Sequence, residues 1–566
     1  MPPNSLPPIS LSDLFSSFPF PYKGLSGVDC QVTAITADSR QVQSGALFVA
    51  CTGGLVDGHK YIQDAIAKGA AVVVGEQVLA GLAVPYIQVE NSRQALAHLA
   101  AAFYGYPARK LTMIGVTGTD GKTTTTNLLY QILLMAGVKA GMISTVNAVI
   151  GDQVLDTGFH VTTPDAPDVQ RYLSMMVDAG LTHVVLETTS HGWAQHRVDA
   201  CEFDIGVVTN ITHEHLDYHG SYEAYRAAKS RLFQSLAETQ VKPQGNPRLA
   251  VLNRDDSSYE YLSSVIQSAF SHQPSAISYG LGEGADVRAE NIIYDASGLQ
   301  FTVKNDKLRV AINSKLIGAF NISNCLAALM SAIAGLGLDP ETAARGIAAF
   351  PGVPGRMERI ELGQHFTAIV DFAHTPNALR VALETVRGML KISPRSGKAR
   401  KEKNKSSRPP APVLWGTLLR GEKKGRIIAI FGSAGLRDRE KRRMMAEVST
   451  ELADITVLTA EDPRTESLDD ILEEMAAGAR SRGGAEGETF FRVPDRGEAI
   501  RFGVRLAREG DIVIACGKGP EQSMCFGTTE YPWDDRVAMR AALSELMCME
   551  RPGMPFLPTG EVKRET

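Results

Sequence analysis

The segment LTMIGVTGTDGKTTTTNLLYQILLMAG (111–137) constrains the fold of this chain more than any other. An apolar strand enters a loop with three glycines, Gly115, Gly118 and Gly121. Lys122, Thr123 and Thr124 follow, then a helix with one apolar face that stops at Gly137. Backbone N–H groups of such a loop and of the helix N-terminus cradle phosphates, Lys122 reaches the terminal ones, and the Thr123 hydroxyl is placed for Mg²⁺. The expected ligand is a nucleoside triphosphate. The usual spacing puts a glycine at 116, where this chain has Val116, with Gly115 one place early.

The same grammar recurs. THVVLE (182–187) and FDIGVVTN (203–210) are strands with polar C-terminal ends, where ligands of open α/β sheets sit. A helix over 321–336 is expected to close this region, and PGVPGR (351–356) to form a hinge. RIIAIFGSAG (426–435), DITVLTAEDPR (454–464) and DIVIACGKGPE (511–521) are buried strands whose polar endings should line one crevice of a second α/β sheet. Length alone, 566 residues, calls for more than one domain. The expected division is 1–108, a mixed α/β domain; 109–352, a P-loop domain with a mostly parallel sheet; and 353–566, a Rossmann-like α/β domain. The third carries a basic insertion at 393–425, read as a solvated loop.

Composition removes several classes. Hydrophobic residues make up 44% and charged residues 21%, as in globular proteins, and the net charge of −5 gives no pull toward nucleic acid or anionic membrane. Seven scattered cysteines, none spaced as CxxC, argue against a disulfide framework or a structural zinc site. Met1–Tyr22 lacks the pattern of a signal peptide, and no run of about 18 apolar residues occurs. A cytoplasmic chain without membrane insertion is expected.

Three further features carry chemistry. Glu187, at a strand end beside the phosphate loop, is placed to hold Mg²⁺. THEHLDYHG (212–220) reads either as a zinc site or as a polar loop with surface histidines. Lys229, in the helical stretch YEAYRAAKSRLF (222–233), reads on spacing alone as a solvated charge.

Taken with TTPDA (162–166), ETTSHGWAQHRV (187–198), DFAHTP (371–376), LRDREKR (436–442), EDPR (461–464) and GKGPE (517–521), the chain resembles the Mur ligase family over nearly its whole length. Within it, the resemblance is to the branch that adds the third amino acid of the peptidoglycan stem peptide. The resemblance implies an ATP-dependent amide ligase acting on UDP-N-acetylmuramoyl-L-alanyl-D-glutamate through an acyl phosphate, and a monomer. It implies that the N-terminal domain holds the uridine nucleotide, with Ser39 among its contacts. Thr162, Thr163, Thr189, Gln195 and Arg197 would hold the muramoyl dipeptide. ATP would lie on Gly118, Thr119, Asp120, Gly121, Lys122, Thr123 and Thr124, with Asn321, Arg356 and Asp371 nearby. Thr123, Glu187, His215 and a carbamylated Lys229 would serve two Mg²⁺ ions, and Arg437, Glu461, Asp462, Pro463, Arg464, Gly517 and Glu521 would form the amino-acid pocket.

Two departures stand out. EDPR (461–464) replaces the DNPR of diaminopimelate-adding relatives, and Pro520 replaces a common His. A negative charge at Asp462 favours a side-chain ammonium over a second carboxylate, which makes lysine or ornithine as credible as meso-diaminopimelate. A folylpolyglutamate or sister muramoyl ligase is the nearest rival, disfavoured by TTPDA, QHR (195–197) and the DNPR-like turn. A P-loop switch is disfavoured by the absence of an NKxD motif.

Overall fold

Strands of a parallel sheet covered on both faces bury every side chain, so they need uninterrupted apolar runs. Ala46–Ala50, Thr112–Thr117, Ile205–Val208, Ile427–Phe431 and Ile512–Cys516 are such runs, and each is buried at every position. The computed structural model describes residues 7–25, 27–53, 57–155, 162–212, 214, 216–269, 275–295, 298–392, 425–550 and 553–560. Contacts divide the chain into two units. One comprises Met1–Ile293, Gln300–Ser314 and Phe320–Pro351; the other comprises Tyr294–Leu299, Lys315–Ala319 and Gly352–Thr566.

The first unit contains two sheets. In the N-terminal one, Tyr86–Val89, Val72–Gly75, Ala46–Ala50 and Ala34–Thr36 run parallel, with Tyr22–Lys23 added antiparallel at one edge. The helix Ser92–Phe103 packs on this sheet through Ala95, Leu96 and Leu99. Asn91 caps it, its Oδ1 accepting from the amides of Arg93 (3.1 Å) and Gln94 (3.0 Å).

The second sheet has eleven strands among the described residues, and Thr112–Thr117 lies inside it. His183–Glu187 pairs on one side and Ile205–Val208 on the other, both parallel. After this strand the chain builds Ala140–Ile143 and His183–Glu187 on one side and then crosses to Ile205–Val208 on the other, which makes its C-terminal end a topological switch point, where open α/β sheets take their ligands. Gly115 is not part of the loop, as its spacing suggested; it sits within the strand, where Leu232 and Phe203 leave no room for a Cβ. The helix expected over 321–336 is present, but it is not the last of the region. Phe320–Met330 passes into a π-helical turn, Ser331–Gly335, and a further helix, Pro340–Ala349, follows, started by Asp339 as N-cap.

The second unit holds a six-stranded sheet ordered Glu358–Ile360, Thr367–Asp371, Ile512–Cys516, Ile427–Phe431, Ile455–Leu458, Phe490–Arg492, parallel except for the first. The strands that precede the three polar endings noted in the sequence are neighbours here. Among the described residues, no helix is long and apolar enough to cross a membrane. All seven cysteines are free thiols.

One buried ion pair staples the start of the central strand. Lys242 Nζ lies 2.6 Å from Asp204 Oδ2 with both side chains fully buried. It also donates to Leu111 O and Glu202 O, while Asp204 accepts from Met113 N and Asn246 Nδ2. Lys242→Met leaves the Asp204 charge buried and unpaired, so it should lower the stability of this unit by about 3–5 kcal/mol in urea unfolding, with Asp204→Asn in addition recovering part of the loss.

Candidate active site

The phosphate loop is tied to the end of the adjacent strand. Thr119 N donates to Asn210 O (2.7 Å), Asp120 N to Asn210 Oδ1 (2.9 Å), and Thr209 Oγ1 to Asp120 O (2.5 Å). A Cβ at Gly118 would overlap Thr209 Oγ1, and Gly121, at φ 80°, lies against Asn324. The helix Lys122–Met135 starts directly after Gly121, so its first-turn N–H groups face the loop. Lys122 Nζ is folded back onto Thr119 O (2.8 Å). Thr124 sits in the same turn, and Asn321 reaches it indirectly, its Oδ1 accepting from Asn324 Nδ2 (2.8 Å).

Glu187 ends the neighbouring strand and is 1% exposed. Its carboxylate accepts from Thr123 Oγ1 (3.0 Å), Thr145 Oγ1 (3.0 Å) and Thr145 N (3.1 Å). Among the described residues it has no ion-pair partner. A buried carboxylate and hydroxyls beside a phosphate loop are the hard oxygen donors that Mg²⁺ takes, so this set fits that ion. Thr145 carries no motif in the sequence; it follows the strand Ala140–Ile143, and only sheet order brings it here.

Lys229 is not a solvated charge. It is 2% exposed on the helix Tyr222–Glu238, with Nζ 2.5 Å from Gly118 O and 4.7 Å from the centre of the Tyr225 ring. Burial, and then the charge of Lys122, hold its amine well below the ordinary lysine value. Helical spacing could not show this, because the face that carries Lys229 is covered by the phosphate loop. His213 and His215 lie outside the described residues, so the zinc and surface-loop readings of 212–220 are not distinguished here.

A second group forms alongside. Thr163 Oγ1 donates to Glu187 O (3.3 Å) and contacts Thr189 Oγ1 (3.1 Å), and Thr189 also caps a short helix through Gly192 N (2.9 Å). Arg197 donates to Thr163 O (2.6 Å) and Gln195 Oε1 (2.7 Å), and its Nε lies 3.2 Å from Asp165. Gln195 Nε2 in turn donates to Tyr218 OH (3.2 Å). Thr162 is half-buried next to Thr163. Ser39 stands apart, on the turn after Ala34–Thr36 in the N-terminal sheet, its carbonyl held by Lys68 Nζ (2.9 Å).

In the other unit, Glu461 is buried, with Oε2 unpartnered and pressed against Gly517. Burial pushes its carboxyl up to about 7. Lys518, fully buried, pairs with Asp462 (3.0 Å) and Glu521 (2.5 Å). Asp462 and Arg464 both have left-handed φ, 42° and 56°, and the turn between them is held by Asp462 accepting from Cys525 N (2.8 Å) and by Arg464 N donating to Cys525 O (3.1 Å). Pro463 is buried and Arg437 is exposed. Arg496, fully buried on Asp535 (2.6 and 2.7 Å), donates to Ala460 O (3.1 Å) and Cys516 O (2.7 Å), just before Glu461 and Gly517. Asp371 accepts from Met357 N (2.7 Å) and Ala373 N (2.9 Å), and Arg356 stacks 4.4 Å over the ring of Phe372.

Comparison with known proteins follows this division. The Mur ligase family catalytic domain matches residues 31–104, the Mur ligase middle domain 116–332, and the Mur ligase glutamate ligase domain 416–519. A UDP-N-acetylmuramyl-tripeptide synthetase of Roseiflexus sp. is 41% identical over 92% of this chain and 96% of its own. The chain belongs to the Mur ligase family. A UDP-N-acetylmuramoyl-L-alanyl-D-glutamate–2,6-diaminopimelate ligase of Geobacillus kaustophilus is 39% identical, again over 92% and 96%. A solved structure of a ligase with that same name aligns at TM-score 0.61 and 29% identity, covering 91% of this chain and 96% of the other.

In this Mur ligase Asp462 is paired with Lys518, a partner 56 residues away that sequence spacing did not link to it. Lys518 also takes Glu521, so one ammonium is shared by two carboxylates. Of the basic insertion at 393–425, only Gly425 lies within the described residues.

Gly118→Ala should cut nucleotide affinity by at least about 100-fold in calorimetric titration, since the loop must move away from Thr209 to admit the methyl group. Glu461 makes a pH signature. Its folded value of about 7 lies above the ordinary 4.5, so the stability it contributes is present below pH 4.5 and is lost as pH rises through 7. That change is on the order of 3 kcal/mol, and Glu461→Gln should flatten it in unfolding measured from pH 4.5 to 8.

Proposed function

We propose that this chain is an ATP-dependent ligase that joins meso-diaminopimelate to UDP-N-acetylmuramoyl-L-alanyl-D-glutamate, the third-residue step of peptidoglycan synthesis. The observation that carries the reading is near-full-length likeness to ligases of that name, in a chain whose phosphate loop, Glu187 and Lys229 converge. Arg437 and Arg464 supply guanidinium groups for carboxylates, which together with the likeness to diaminopimelate-adding ligases favours diaminopimelate over lysine or ornithine.

In this reading the D-glutamyl γ-carboxylate attacks the γ-phosphorus of ATP, ADP leaves, and an acyl phosphate forms. The amine of the incoming amino acid then attacks the acyl carbon, expels phosphate, and loses a proton. The chain's part is positioning and charge stabilisation. Backbone N–H groups at 118–124 and the Lys122 ammonium receive the ATP phosphates. Thr163, Gln195 and Arg197 hold the dipeptide. Arg464 and Arg437 receive the carboxylates of the amino acid.

Thr123, Glu187, His215 and a carbamylated Lys229 would hold two Mg²⁺ ions, which when bound neutralise phosphate charge. The lowered Lys229 amine supports carbamylation, because only the neutral amine attacks CO₂, giving a carbamate and a released proton. Burial at 2% exposure then protects the carbamate from water.

Phosphate release should require ATP, the UDP-dipeptide and meso-diaminopimelate together, with the product mass rising by one diaminopimelyl residue. Turnover with lysine or ornithine alone would move the specificity, and turnover with none would sink the reading. In ¹³C-bicarbonate, a carbamate carbon signal is expected in the wild-type chain and absent in Lys229→Ala.

A further inference from the structure

His196 stands between Gln195 and Arg197, which bond to each other, but its side chain makes different contacts. Its φ of 57° is left-handed, a conformation that a residue with a Cβ keeps only when its surroundings hold it. Nδ1 lies 2.5 Å from Asp199 Oδ2, and Asp199 takes the Arg231 guanidinium at 3.0 and 3.1 Å. Nε2 lies 3.1 Å from Nδ2 of Asn91, which belongs to the N-terminal domain.

Asn91 decides where the imidazole proton sits. Its Oδ1 is committed to the amides of Arg93 and Gln94 as cap of Ser92–Phe103, so the atom facing His196 is the amide nitrogen, which only donates. Nε2 must then accept, and the ring proton must be on Nδ1, toward Asp199. His196 thus donates from Nδ1 to Asp199 and accepts at Nε2 from Asn91.

We propose that His196 is a positioning residue: it braces the N-terminal domain against the loop that presents Gln195 and Arg197. The inference rests on the substrate reading above, in which one elongated molecule is held at both places. The uridine end would lie on the domain of Ser39 and the dipeptide end on Thr163, Gln195 and Arg197. A ligand gripped at two points binds best when their separation matches its length, and Asn91–His196–Asp199–Arg231 sets that separation. Arg231 also donates to Trp193 O (2.5 Å), so the brace ends on the helix that carries Lys229.

Two variants separate this role from simple stability. Asn91→Ser keeps a capping oxygen for Ser92–Phe103 but is too short to reach His196. His196→Gly keeps the left-handed backbone without strain and removes the imidazole. Each should raise KM for the UDP-dipeptide about fivefold to tenfold, the loss of about one hydrogen bond, with KM for ATP and thermal stability of Asn91→Ser nearly unchanged. The double variant should be no worse than the worse single one. Unchanged KM for the UDP-dipeptide, an equal rise for ATP, or additive effects would overturn the brace. Independently of any substrate, ¹⁵N NMR should show His196 Nδ1 protonated and Nε2 bare; a ring protonated at Nε2 would overturn it as well. An inactive wild-type chain would instead sink the substrate reading, whatever the tautomer.

Discussion

A parallel sheet covered on both faces leaves one place for polar chemistry, the edge beyond the C-terminal ends of its strands, and the rest of this structure follows from that constraint. The phosphate loop leaves Thr112–Thr117, Glu187 ends the next strand, and Asn210 follows Ile205–Val208. In the other unit Glu461 and Gly517 leave Ile455–Leu458 and Ile512–Cys516 in the same way. The helices then close over these edges. That is how a lysine seventeen residues past an Asn–Ile–Thr turn comes to rest on a loop carbonyl in the dry interior.

Buried charge in this chain falls into two kinds. Lys242–Asp204 and Arg496–Asp535 are fully buried, paired, and bonded at nearly every polar atom, and they hold backbone together. Glu187 and Glu461 are also buried but have no ion-pair partner within 4 Å among the described residues, and the Lys229 amine lies on a carbonyl and beside a ring face. Burial without an ion-pair partner disfavours the charged form, raising the Glu461 carboxyl and lowering the Lys229 amine, and groups perturbed in this way gather at functional sites. Each of the three lies at a strand edge or on the phosphate loop.

What the sequence made legible was local. Strand, loop and helix around 111–137, the apolar runs of both sheets, and the glycine stop at Gly137 depend on neighbours within a few residues. What it hid depends on partners brought close by topology. Gly115 looked like a loop glycine because strand ends have no sharp mark, but packing against Leu232 and Phe203 is what requires it. Thr145 and Asn91 have nothing distinctive around them, and Lys518 was noticed only as part of GKGPE, yet these three hold Glu187, His196 and Asp462. Lys229 was misread from spacing for the same reason, since an amphipathic pattern shows which face is apolar but not which polar residue a loop will cover.

Arg496 has a consequence for how this pocket can change over evolutionary time. One guanidinium holds the carbonyls of Ala460 and Cys516 and so ties the turn at 461–464 to the turn at 517–521. Substitution at 461, 462 or 521 changes the charge carried by these turns, while the arginine still sets the gap between them; a wider gap calls for replacing Arg496 and Asp535 together.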